Sequence, residues 1–292
     1  DRIRIVATDR EIGLIADYEA QVVKNGEITL PARKLYEMLR EIQGESVLFK
    51  KEDSNWVGIN CGKVHFRVPG IPAEEFPKIM DDEEVGFIRV DGAMISDMIK
   101  KTFFAMSTDE SRVNLNGVLL RAEKEQETVI LRMVATDGHR LAVCDLDTDL
   151  GLAEQRQLIV PRKGVLELSR MLSDSDGMVE LALGKNHIRL VKGNSVFTSK
   201  LIDGRFPEYK AVIPKGTDRH IKLDRNAFVH ALQRASILSN EKYRGVRLEA
   251  AGNSVRIIAH NPQHEEAIEE REAQLNFDQI AIGFNVTYLL DA

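Results

Sequence analysis

"IRIVATDREIGLI" at residues 3–15 returns as "LRMVATDGHRLAV" at residues 131–143. A shared "VATD" inside two apolar–polar alternations reads as one strand–turn–strand unit used twice. Further landmarks follow in the same order. "ITLPARKLYEML" (28–39) matches "LIVPRKGVLELSRML" (158–172), and "IPAEEFPKIM" (71–80) matches "LIDGRFPEYKAVIP" (201–214). Pro31 thereby meets Pro161 and Phe76 meets Phe206, each pair about 130 residues apart. A third copy is fainter. "FIRVDGAMISDMIKK" (87–101) recurs as "HIKLDRNAFVHALQR" (220–234), and "NGVLL" (116–120) as "RGVRL" (244–248). "VRIIAHNP" (255–262) and "IAIGFNVTYLLDA" (280–292) then stand where the middle copy has "LRMVATDG" and "LIVPRKGVLELSR". Three domains are expected, at residues 1–84, 85–213 and 214–292. Only the middle one is whole by this comparison, with roughly 38 residues expected before Asp1 and roughly 44 beyond Ala292.

Composition narrows the class. The chain has 292 residues, more than one core usually serves, with 43% hydrophobic and 29% charged residues, the balance of a globular protein. No apolar run nears the ~20 residues of a membrane span, and no basic-then-apolar leader opens the sequence, so a cytoplasmic protein is expected. Cys61 and Cys144 are too few for a disulfide framework or a metal cage and read as small buried thiols. A net charge of −6 argues against a uniformly basic nucleic-acid binder but leaves the distribution of charge open.

In the middle copy, "VGFIRV" alternates as a strand. Asp91 then offers an N-cap to a helix whose Met94, Ile95, Met98, Ile99 and Phe103 recur at helical spacing. "NLNGVLLRAE", "TVILRMVATDGHRLAVCDL" and "RQLIVP" read as strands. Pro161 precedes a second helix whose Val165, Leu166, Leu168, Met171 and Leu172 put apolar groups on one side, and three short strands follow it. Each repeat is therefore two helices on a largely antiparallel sheet, an α+β class. The helix face turned away from the sheet is basic. It carries Arg33, Lys34 and Arg40; Lys100 and Lys101; Arg162, Lys163 and Arg170; and in the third copy Arg225 and Arg234. Acids are expected in the loops "MDDEEVG" (80–86), "DLDTDLG" (145–151) and "SDSDG" (173–177), with few on the helices. Basic helix faces on an acidic protein suit phosphate-backbone contact without base reading.

"VATDGHRLAV", "VPRKGVLEL", "FTSKLIDGRFPEY" and "ILSNEKYRGVRL" together resemble the bacterial DNA polymerase III beta subunits, the replicative sliding clamps, and the likeness runs the length of the chain. It implies a DNA-clamp fold, three domains forming half of a ring, and a homodimer that encircles duplex DNA without reading its sequence. It makes the chain a non-catalytic processivity factor and places the basic helices, joined by Arg112, around the DNA. It implies a pocket for short peptides from the polymerase III catalytic subunit, the clamp loader, other polymerases and repair proteins. The positions that match are Leu115, Thr136, Gly138, His139, Arg140 and Leu141, then Pro207 and Val212, then Asn285 and Tyr288. The first copy lacks the Gly-His-Arg of the middle one, so only the middle turn carries recognition chemistry.

The joint between chains is argued from charge. "GKVHFRV" (62–68) puts Lys63, His65 and Arg67 on one face of a strand, with Val64, Phe66 and Val68 on the other. "EEAIEERE" (265–272) is acidic through Glu265, Glu266, Glu269 and Glu270. Opposite charges across two edge strands would select this pairing, and the resemblance sets Phe66 near Ile237 and Leu238.

Other functions are weaker. Asp137 and His139 in "TDGHR" suggest a nucleic-acid hydrolase, but no third group shares their spacing, and the other histidines are scattered. A peptide-binding adaptor that never meets DNA is a further alternative. Neither GxxxxGK[ST] nor GxGxxG occurs, and no cofactor or metal is expected. Trp56 reads as a packed strand aromatic.

Overall fold

Asp91 begins the first of three helices whose starts are fixed by a side chain. Its Oδ1 accepts the Ala93 N–H at 2.8 Å and opens α2, Gly92–Thr102, while α1, Ala32–Glu41, precedes it in the chain. Pro161 leads into α3, Arg162–Met171, as Pro31 leads into α1; both prolines hold φ at −63° and carry no side-chain cap. Asp224 caps α4, Arg225–Ile237, through the Ala227 N–H, and Asn285 caps α5, Val286–Asp291, through the Thr287 N–H. The computed structural model describes residues 1–79, 86–125, 128–148, 155–173, 177–216 and 218–292, with backbone alone at 124–125. Most of the acidic loop segments named above lie outside the described residues.

Two compact units result. The first comprises Asp1–Ala135 and Val143–Arg205, and the second comprises Thr136–Ala142 and Phe206–Ala292. Strand pairings among the described residues are antiparallel throughout. In the first unit a six-stranded sheet runs in the order Arg2–Thr8, Ile12–Glu19, Ser195–Lys200, His187–Lys192, Met178–Leu183, Phe87–Asp91. It crosses from the first repeat to the second, with Leu14 opposite Phe197 and Ala16 opposite Ser195. A four-stranded sheet of Arg156–Pro161, Gly117–Glu125, Thr128–Thr136 and Leu141–Thr148 completes the middle repeat. Ile95 and Ile99 of α2 and Val165 and Leu168 of α3 meet Val118, Leu120 and Val160 of the four-stranded sheet and Leu181, Ile188 and Leu190 of the six-stranded one. Each such side chain contributes roughly 1.5–3 kcal/mol on burial. The buried face of α2 runs through Ile95, Met98, Ile99 and Thr102, one stripe at helical spacing. Met94 falls beside that stripe and is 49% exposed, against the sequence expectation, and Phe103 begins a separate 3-10 turn.

The first repeat also holds a three-stranded sheet, Leu48–Lys51, Trp56–Cys61 and Val64–Pro69, whose Val57, Ile59 and Val68 pack with Leu35 and Met38 of α1. In the second unit α4 lays Ala231, Leu232 and Ala235 on Val246, Leu248, Ile257 and Ala259 of a sheet ordered Glu266–Glu272, Ser254–His260, Gly245–Ala251, Gln279–Asn285. Cys61 and Cys144 are free and half-buried, less enclosed than the sequence implied. No helix among the described residues is long and apolar enough to cross a membrane.

The repeated "VATD" closes by the same bonds in both copies. Thr8 Oγ1 donates to the Ile12 carbonyl and accepts from Arg10 N–H, and Asp9 Oδ1 accepts from the N–H groups of Glu11 and Ile12. Thr136 and Asp137 repeat this with Arg140 O, Gly138 N, His139 N and Arg140 N. The third residue of the turn needs positive φ, 76° at Arg10 and 87° at Gly138, which glycine adopts without strain. In the third copy Asn261 plays the aspartate's part, its Oδ1 accepting from Gln263 and Glu265 N–H.

Lys163 of α3 reaches back to this first turn, forming an ion pair with Asp9 and approaching Glu11 at 3.6 Å. Burial pushes the Asp9 carboxyl up, but the Lys163 ammonium and the two main-chain N–H groups together outweigh it and hold the pKa at about 2. That lies below the ordinary aspartate value near 4, so its stabilisation is whole above about pH 4 and is lost as pH falls toward 2. Asp9→Asn should therefore lower stability at neutral pH, with the difference from wild type vanishing between roughly pH 4 and 2 in acid unfolding followed by circular dichroism. A difference constant across that range would remove this carboxylate from the acid response. Gly164 gives a second check. A Cβ there would stand 2.5 Å from Ser199 Oγ and 3.1 Å from Ser199 Cβ, and Ser199 is fully buried. Helix propensity favours alanine over glycine by about 1 kcal/mol, yet Gly164→Ala should lower the melting temperature, because close approach of α3 to the strand outweighs it; a rise would refute that packing.

Candidate functional site

The middle turn does more than close a hairpin. Asp137 Oδ1 is used by the backbone, and Oδ2 accepts Arg140 Nε–H at 3.1 Å. Arg140 Nη1 donates to Asp291 Oδ2 at 2.5 Å, and the guanidinium lies 4.4 Å over the Tyr288 ring. The other partner of that ring is His139, stacked at 6.4 Å between centroids and 22° between planes. Helix α5 supplies two of these groups because Asn285 caps it. Tyr288 and Asp291, three residues apart, then share one face. The Arg140 and Asp137 side chains are 19% and 15% exposed and so largely shielded from solvent, whereas Asp291, at 33%, and His139 stand at the surface.

The structure thus brings together His139, Arg140 and Tyr288 of the expected peptide positions. Thr136 and Gly138 serve the turn itself, and the Asn285 oxygen is occupied by its helix. Leu141 is half-buried, Pro207 is exposed and Val212, just after the 3-10 turn Tyr209–Ala211, is 70% exposed; all three belong to the same unit. Leu115, half-buried at the end of the 3-10 turn Val113–Leu115, belongs to the first unit. Asp291 escapes a reading of the sequence; its i,i+3 relation to Tyr288 behind an Asn cap is the signal that could have found it. The side chains of the hydrolase alternative are already engaged. Both Asp137 oxygens are engaged in the turn and with Arg140, and His139 stacks on a tyrosine. Among the described residues no three His, Cys, Asp or Glu side chains are grouped to hold a metal.

The basic helix faces carry more acid than the sequence suggested. Arg33 pairs with Glu37 at 2.9 Å, Arg40 with Glu41 at 3.0 Å, Lys101 with Asp97 at 2.7 Å, and Arg170 with Glu167. These carboxylates sit on the cations' own helices, so the few acids that the helices hold are set against their cations. Arg112 lies 3.6 Å from Asp109. Lys163 is taken up by Asp9, and Arg234 is held by both oxygens of Glu269 on the strand beneath α4. Lys34 and Lys100 are exposed and Arg162 half-exposed, and among the described residues no carboxylate pairs with them. Exposed pairs of this kind contribute roughly 0.2–1 kcal/mol and exchange readily.

The two charged strands are both sheet edges, Val64–Pro69 in its three-stranded sheet and Glu266–Glu272 in its four-stranded one. Two details differ from expectation. Lys63 lies in the turn before its strand, next to Gly62 with φ of 55°, and Val64 is 43% exposed, so the apolar face begins at Phe66 and Val68. Arg67 lies 4.3 Å over the half-buried Trp56 ring and bonds Glu52 at 2.8 Å; His65 bonds Asn60. On the acidic strand Glu269 points inward to Arg234 and Arg271, because period-two alternation turns only Glu266, Glu270 and Glu272 outward with Ile268. Glu265 precedes the strand and bonds Asn261. Ile237 is 76% exposed at the end of α4, and Leu238 is half-buried.

Comparison with known proteins agrees with this architecture. Sequence profiles of the DNA polymerase III beta subunit match in series: its N-terminal domain over residues 1–81, central domain over 89–208 and C-terminal domain over 210–292. The beta sliding clamp of Pseudomonas putida is 40% identical over 291 residues, covering 99% of this chain and 78% of its own length. The crystal structure of the DNA polymerase III subunit beta of Pseudomonas aeruginosa superposes with a TM-score of 0.92 at 40% identity, covering 99% of this chain and 79% of that one. A structure of the Pseudomonas aeruginosa sliding clamp bound to griselimycin gives 0.91 at 39% identity, covering 99% and 78%. The antiparallel α+β repeats are the clamp fold, and the chain belongs to the DNA polymerase III beta subunit family, the beta sliding clamps, which are non-catalytic processivity factors of DNA replication.

Proposed function

We propose that this chain works in the cytoplasm as three clamp domains, at residues 1–84, 85–213 and 214–292, and pairs with a second copy to close a ring around duplex DNA. The observation that carries this is a pair of oppositely charged sheet edges, His65 and Arg67 along one with Lys63 in the turn that opens it, and Glu266, Glu270 and Glu272 along the other. Unpaired main-chain edges attract a strand, and complementary charge chooses which. Phe66 of one copy would meet Ile237 and Leu238 of the other. The helix cations, led by Lys34, Lys100 and Arg162, would face phosphates loosely enough for sliding. His139, Arg140, Leu141, Pro207, Val212 and Tyr288 would receive short peptides of the polymerase III catalytic subunit, the clamp loader and other polymerases and repair proteins. Griselimycin, bound by the Pseudomonas aeruginosa clamp, is expected to bind here.

Sedimentation velocity tests the joint: wild type should run as a dimer and Lys63→Glu with Arg67→Glu as a monomer that keeps its folded circular dichroism spectrum, whereas a persistent dimer would rule the joint out. Salt titration of DNA binding tests the helix faces. Removing Lys34, Lys100 and Arg162 by alanine substitution should flatten the slope of log K against log salt by roughly one for each phosphate these cations neutralise. An unaltered slope would take these residues off the DNA path.

A further inference from the structure

We propose that Asp291 is a positioning residue of the peptide site, pinning Arg140 flat against Tyr288 so that both present one preset surface to a partner; this rests on the peptide-site reading above. Arg140 is constrained from three directions. Asp137 takes Nε at 3.1 Å, Asp291 takes Nη1 at 2.5 Å, and the Tyr288 ring lies 4.4 Å below the guanidinium. A planar fork held at two edges and one face has a single orientation, which a lysine could not reproduce. Asp137 alone cannot achieve this. Its bond to Arg140 lies within one hairpin, three residues apart, and leaves the guanidinium free to swing about that bond. Asp291 comes from a different part of the sequence and ties the turn to α5, the helix that carries Tyr288.

The ion balance has a further effect. Two carboxylates offset one guanidinium, so Arg140 meets a partner as an oriented flat wall and not as a free positive charge. Peptide binding at this wall should then depend on shape and ordering more than on salt. Holding Arg140 and Tyr288 in place beforehand spares a partner the cost of ordering two long side chains.

Griselimycin is the probe, measured by calorimetry on the whole chain. Asp291→Ala should bind it roughly tenfold more weakly than wild type, and Asp291→Glu should recover most of the difference. Equal affinity of wild type and Asp291→Ala overturns the proposal. Proton–nitrogen spectra of arginine-labelled protein give a second measurement that needs no ligand. The Arg140 Nη–H signals, assigned by their disappearance in Arg140→Lys, should be resolved and slow to exchange in wild type, fast and averaged in Asp291→Ala and slow again in Asp291→Glu, because Asp291 holds Nη1. Unchanged exchange in Asp291→Ala with an intact melting temperature refutes the positioning role. A wild-type chain that shows the exchange pattern but does not bind griselimycin would refute the peptide-site reading while upholding the Arg140 clamp.

Discussion

A side-chain oxygen at the end of a strand, capturing the main-chain N–H groups of the turn that follows, is the constraint on which the repeats depend. Asp9, Asp137 and Asn261 each supply it. The bond costs little sequence, one residue of correct type, and it fixes a tight hairpin whose remaining positions can vary. Divergence has used that freedom. In the first copy the second carboxylate oxygen serves an ion pair with α3 of the next repeat, whereas in the middle copy it orients an arginine beside a tyrosine. The geometry of the backbone is shared, and the chemistry differs according to what the spare oxygen meets.

Charge is used with similar economy. Most helix cations have a carboxylate within reach on the same helix or an adjoining strand, leaving only a few without a partner among the described residues. A surface built so would attract a polyanion weakly and over many sites, because at most of these cations a phosphate must first displace an internal acid. Weak, interchangeable contacts suit movement along a duplex, and a few strong ones would arrest it.

Much of this could be read in the sequence, for reasons that differ by element. The repeats were legible from matching strings about 130 residues apart, and the cap at Asp91 and the strand alternation because each depends on neighbours close in the chain. Edge positions of the two charged strands were taken from their opposite charges, and the sheet orders place both strands at edges. The inward turn of Glu269 could have been found by strict alternation, but the run of acids disguised it. Arg234 with Glu269, Lys163 with Asp9, and Arg140 with Asp291 were not legible, since each joins residues far apart in sequence and nothing local marks the partner. Met94 was misassigned because the apolar residues of α2 fit two adjacent helical stripes, and only packing chooses between them.

The six-stranded sheet has a practical consequence for anyone who would divide this chain. Its seam between Ile12–Glu19 and Ser195–Lys200 is backbone ladder, without a linker to cut. Expressing the opening repeat by itself would bare the raw border of Ile12–Glu19 where one continuous weave had been, inviting fibrous self-association. Dissection for crystallography or for grafting should therefore keep those two repeats as one piece.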